Sequence, residues 1–112
     1  LNMAVAKTLL FDSDLQERAL FYKALGHPAR LQILRHLAQT KVCITGDISD
    51  DLPLSRTTVN QHLAELKKAG LIQGHVSGKK TNYCLNPEKI KELQRFNESF
   101  LKEINNSNYA CK

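Results

Sequence analysis

Apolar and polar positions divide the chain into five helical stretches and one hairpin. Over 14–25, Leu15, Ala19 and Tyr22 form one row, with Leu20, Phe21, Ala24 and Leu25 around it. A helix apolar over so wide an arc needs two neighbours to cover it, and a second subunit can supply one of them. Ser13 stands three residues before Gln16, with Asp14 and Glu17 in the first turn. That is a capping-box pattern, with acids at the positive end of the helix dipole. Gly26-His27-Pro28 interrupts the pattern, and Pro28 suits the first position of the next helix, where its missing N–H costs nothing. Ala29, Ile33, Leu34 and Leu37 then recur at helical spacing and predict a helix over 28–39, with Arg30, Gln32, Arg35, His36 and Gln39 on its wet face. A short helix of two turns is predicted over 45–52, where Pro53 discourages continuation.

The clearest pattern runs from 56 to 69. Ser55 is a good N-cap, Val59, Leu63 and Leu66 follow the i, i+4, i+7 rule, and Gly70 stands where a left-handed C-cap residue belongs. Residues 71–76 and 81–85 read as two short strands around Ser77-Gly78-Lys79-Lys80, a hairpin with a basic tip. Asn86-Pro87 repeats the cap-plus-proline start. Ile90, Leu93, Phe96, Phe100, Leu101 and Ile104 mark a last helix of about 18 residues, roughly 27 Å long at 1.5 Å per residue. That length exceeds what so small a body can cover, so part of its apolar stripe is expected to meet another chain.

Length adds a limit: 112 residues make one small domain, spanning 1–112, with loose or dimer-associated termini at 1–12 and 105–112. Sixteen Lys and Arg against eleven Asp and Glu leave a net charge of +5, pointing to a polyanionic partner. Most of that excess is local. From 55 to 81 the cations are Arg56, Lys67, Lys68, Lys79 and Lys80, and the one anion is Glu65. A phosphate-binding footprint has this clustering. The order helix, helix, short helix, capped helix, basic hairpin, helix is that of a winged helix-turn-helix, α-α-α-α-β-β-α, a mainly α fold with a small β-hairpin.

If Val59, Leu63 and Leu66 face the core, Thr57, Gln61, Ala64 and Lys68 lie opposite, with Thr58 and Asn60 beside them. Short polar side chains let a helix enter a major groove about 12 Å wide, and the amides of Asn60 and Gln61 can pair with adenine. Arg56 can reach a phosphate or a guanine edge, or serve as an ordinary surface cation. Ser55 caps the helix whether or not it also touches DNA. His62, at the border of the apolar face, reads equally as a half-buried imidazole and as a phosphate contact. Lys79 and Lys80 suit backbone phosphate, or solubility alone.

The runs 24–34 (ALGHPARLQIL), 54–63 (LSRTTVNQHL) and 68–72 (KAGLI) resemble the ArsR family of bacterial winged-helix repressors, a similarity covering roughly residues 15–104. The resemblance implies a homodimer joined through its first and last helices, with Leu15, Ala19, Tyr22, Leu93, Phe96, Phe100 and Ile104 as candidate interface residues. It also implies a near-palindromic operator, released when an effector binds, with DNA contacts across 55–62. The family's metal sites do not carry over. Its thiolate pattern has two cysteines separated by one residue, whereas Cys43-Ile44-Thr45 supplies only the first, and residues 87–104 contain no His or Asp. One thiolate cannot chelate a soft metal, so neither a metal nor any other cofactor is expected.

Three cysteines without a CxxC pair argue against a secreted disulfide framework and fit a reducing, cytoplasmic setting better. Cys43 reads as a small core residue or a redox-active thiol, Cys84 sits in a strand and faces either way, and Cys111 is incidental. No apolar run approaches the roughly 18 residues needed to cross a bilayer, and the first residues lack the order of an export signal. The four histidines fall on separate elements without a nucleophile or a glycine-rich phosphate loop, so no enzyme is expected. The rival readings are a winged-helix module that binds protein instead of DNA, and a thiol-redox-sensing variant of the regulator.

Overall fold

Helix α1 (Ser13–Leu25) buries Phe21 and Ala24, and α2 (Pro28–Thr40) buries Ala29, Ile33 and Leu37. Both lie against α3 (Arg56–Lys68), which contributes Val59, Leu63 and Leu66. The last helix, α4 (Pro87–Ile104), has no fully buried residue, but Ile90, Leu93 and Phe96 rest on the same core. A computed structural model describes residues 10–40, 44–45, 52–77, 80–105 and 108–111. Its helices and wing match the predicted winged helix-turn-helix. No helix among the described residues is long and apolar enough to cross a membrane.

The sheet departs from expectation by one strand. β2 (Ile72–Ser77) and β3 (Lys80–Leu85) form the hairpin, from Ile72 opposite Leu85 to Ser77 opposite Lys80. A third strand, β1 (Ile44–Thr45), pairs antiparallel with β3, Ile44 against Tyr83 and Thr45 against Asn82, giving the order β1-β3-β2. Two residues are too few to show alternation, so their pattern left no signal. The short helix expected over 45–52 is absent at both ends: Thr45 is in β1 and Leu52 lies in a bend, while 46–51 fall outside the described residues.

One helix start carries another cap than the sequence suggested, and a second has a cap that the sequence did not announce. Asp12, not Ser13, is the N-cap residue of α1, and no side chain caps it. Gln16 instead reaches back, its Nε2 donating to the Phe11 carbonyl at 2.6 Å. At α2, His27 takes the role: its Nδ1 accepts the N–H of Ala29 at 3.0 Å, ahead of Pro28 in the first turn.

The end of α3 is a complete Schellman turn. Gly70 has φ +81°; its N–H donates to the Lys67 carbonyl at 2.9 Å, and that of Leu71 to the Leu66 carbonyl at 3.1 Å. Leu66 and Leu71 are fully buried, the apolar contact that accompanies the motif. The Leu71 carbonyl accepts the N–H of Asn86 at 2.9 Å. Asn86 in turn caps α4 by accepting the Lys89 N–H through its side chain.

Between α1 and α4, Arg18 is buried with its guanidinium 5.4 Å from the Phe96 ring centre and 5.9 Å from that of Phe100. Its Nε lies 3.2 Å from Asp14 Oδ2 and its Nη1 3.8 Å from Glu103 Oε2. Neither contact has hydrogen-bond geometry, so the charge is balanced by proximity and by the rings.

Cys84 on β3 is disulfide-bonded, whereas the sequence suggested unpaired thiols. Spacing along the chain does not say which cysteines a fold brings together. Cys111 is a free, exposed thiol, and Cys43 lies outside the described residues.

Candidate nucleic-acid interface

Burying Val59, Leu63 and Leu66 fixes the roll of α3 and turns its polar face outward. Thr57, Asn60, Gln61, Ala64 and Lys68 are exposed, as are Arg56 and Lys67 on its flanks. Ser55 Oγ accepts the Thr58 N–H at 3.2 Å and donates to Thr58 Oγ1 at 2.9 Å, so the first turn presents two linked hydroxyls. Lys67 lies over β2, close enough to Gly74 that an added Cβ there would stand 3.2 Å from its ammonium. The residues expected on the reading face are thus together on one ridge. Of the basic tip, Lys79 lies outside the described residues, and Lys80 enters as the first residue of β3.

His62 is buried, with 8% of its surface exposed. Its Nδ1 accepts from Arg30 Nε at 3.2 Å, and its ring centre lies 4.2 Å from that of His27. Burial pushes its pKa down, with further lowering from His27 and Arg30. Arg30, assigned to the wet face of α2 by periodicity, folds back instead, donating through Nη1 to the carbonyls of Lys23 and Ala24 at 3.0 and 3.3 Å. Periodicity places a Cβ, but a side chain as long as arginine can cross from one face to the next.

The candidate subunit-contact residues divide in two. Leu15, Ala19 and Ile104 are exposed, and so is Leu101. Tyr22, Leu93, Phe96 and Phe100 are half-buried within the chain: Tyr22 Oη donates to Asn97 Oδ1 at 3.0 Å, its ring lies 6.1 Å from that of Phe100, and Phe96 stands 5.8 Å from Phe21. Among the described residues no group of three or more His, Cys, Asp or Glu is placed to hold a metal ion.

Residues 27–73 match the arsR family of bacterial regulatory proteins. The chain is similar to an uncharacterized HTH-type transcriptional regulator of Methanocaldococcus jannaschii, 33% identical over 78 residues that cover 70% of this chain and 88% of that one. It is also similar to the cadmium resistance transcriptional regulatory protein CadC of Listeria innocua, 30% identical over 99 residues, with 88% and 83% covered. Among solved structures it resembles the homodimeric winged helix-turn-helix DNA-binding domain of a possible ArsR-family regulator from Mycobacterium bovis. The TM-score is 0.62 at 26% identity, covering 88% of this chain and 90% of that one.

Proposed function

Because the chain belongs to the arsR family of bacterial transcriptional regulators, a non-enzymatic family, we propose that it is a sequence-specific binder of double-stranded DNA, a cytoplasmic repressor acting as a homodimer. The observation that carries this reading is the outward ridge of Thr57, Asn60 and Gln61 on a helix whose roll is fixed by three buried residues. Each subunit lays α3 in a major groove, while Lys79 and Lys80 steady the complex at the flanking backbone. Exposed Leu15, Leu101 and Ile104 give α1 and α4 an apolar surface for the second subunit, which sets two half-sites about one helical turn apart.

A salt titration on duplexes selected from random sequence tests the reading. Phosphate contacts make affinity fall steeply with salt, whereas an apolar protein interface barely responds. Gln61→Ala is expected to relax base preference at one operator position by about 1–3 kcal/mol, and neutralising Lys79 to weaken all sequences alike. Unchanged preference in Gln61→Ala would refute the orientation of α3.

The disulfide at Cys84 favours a thiol-responsive form of the same regulator. Two thiols would give up two electrons and two protons to a peroxide, which is reduced to water as the S–S bond forms. Repeating the titration with and without dithiothreitol separates a redox-dependent affinity from an inert crosslink.

A further inference from the structure

Two imidazoles and a guanidinium meet where α3 crosses the start of α2. His27 accepts at Nδ1 from the Ala29 N–H, and its carbonyl accepts from the N–H groups of Arg30 and Leu31 at 3.0 and 3.2 Å. His62 also accepts at Nδ1, from Arg30 Nε. An imidazole whose Nδ1 accepts a hydrogen bond is neutral and carries its proton on Nε2. For His62, a proton on Nδ1 would face the N–H of Arg30, and the charged ring would sit desolvated between His27 and Arg30. Its lowered pKa agrees with that geometry.

The remaining ring nitrogen decides what the arrangement can do. Nε2 is the ring nitrogen that Arg30 does not engage, and His62 keeps 8% of its surface exposed. Along α3, His62 follows Ser55 and Thr58 at helical spacing, on the row of the two linked hydroxyls and beside exposed Gln61. A donor on that row borders the polar ridge, where the sugar–phosphate backbone passes when the ridge enters a groove.

We propose that Arg30 is a positioning residue of the DNA interface: by donating to His62 Nδ1 it holds the imidazole in the Nε2–H form and aims that donor at a DNA phosphate. Arg30 itself does not touch DNA. Its Nη1 is occupied by the carbonyls that end α1, so its anchor lies in the scaffold. The proposal rests on the DNA-binding reading above and adds to it a neutral contact governed by a residue on another helix.

The test has one arm without DNA and one with it. Long-range proton–nitrogen correlation spectra of 15N-labelled full-length protein at neutral pH are expected to show His62 protonated at Nε2 and bare at Nδ1. Arg30→Met should erase that preference, and Arg30→Lys, which keeps a donor, should restore much of it. On the selected duplex, His62→Leu, which preserves the packing, and Arg30→Met should each weaken binding about tenfold, the loss of one hydrogen bond to a charged acceptor. The double variant should be no weaker than His62→Leu alone. A wild-type His62 protonated at Nδ1, or a loss on Arg30→Met that persists in full beside His62→Leu, would overturn the proposal. If wild-type protein binds no duplex, the DNA reading fails and the phosphate contact with it, whatever form the free protein's imidazole takes.

Discussion

His62 and His27 show how far a single side chain's role is written in its type. Histidine is not among the preferred capping residues, so nothing in Gly26-His27-Pro28 announced that His27 closes the first turn of α2. His62 lay at the edge of the helical wheel, where burial and exposure are equally compatible with the pattern. The structure resolves it through Arg30, a partner 32 residues away that no local rule connects. The buried ring has a consequence for stability. Its folded pKa lies below the ordinary value of about 6.5, so the unfolded chain binds the proton more tightly. The native state therefore has its full stability above about pH 6.5 and loses part of it as pH falls through the depressed folded value. Chemical denaturation from pH 7.5 down to 5.5 should show this slope in wild type and a flatter one in His62→Leu.

Among the elements, α3 was the most legible, because cap, apolar period and terminating glycine all agree. Ser55, the Val59–Leu63–Leu66 stripe and Gly70 each do in the structure what their spacing predicts. β1 was illegible for the opposite reason, since a two-residue strand has no period and exists only through its pairing with β3. The start of α1 lies between these cases: Ser13 and Gln16 have the right spacing, but the helix begins one residue early and Gln16 bonds to Phe11 instead. Gly70→Ala is the sharpest test at this scale. At φ +81° a Cβ is strained, and it would lie 3.3 Å from the Lys89 side chain. Urea denaturation should show a loss of about 1–2 kcal/mol, whereas Gly26→Ala, whose added Cβ meets nothing nearer than 3.4 Å and whose φ is −78°, should cost less.

For the whole molecule, the length of α4 was the informative sequence feature. An 18-residue helix with no fully buried residue covers only part of its apolar stripe within the chain. Leu93 and Phe96 serve the chain's own core, while Ile104 at 58% and Leu101 at 49% exposure remain open, with Leu15 of α1 at 44%. Charge placed among them should divide assembly from folding. Ile104→Glu is expected to shift sedimentation from dimer to monomer and to lower operator affinity by the loss of the second half-site, with the thermal midpoint extrapolated to low protein concentration little changed. The disulfide at Cys84 lay beyond sequence reasoning, because spacing along the chain does not say which cysteines the fold brings together.

Leu71 joins two parts of this machine that are otherwise separate. Its amide closes the far end of the helix offered to the duplex, and its carbonyl receives the amide of Asn86, where the long C-terminal rod begins. A single residue thus lies between the rod on which subunits would join and the rod that would enter the groove, its two hydrogen-bonded peptide groups meeting at one Cα. In the proposed dimer, the angle at which two copies meet would then bear directly on the pitch and separation of their two probes. A signal that altered that angle would reach both half-sites of the proposed complex through this one residue, without repacking the interior of either copy.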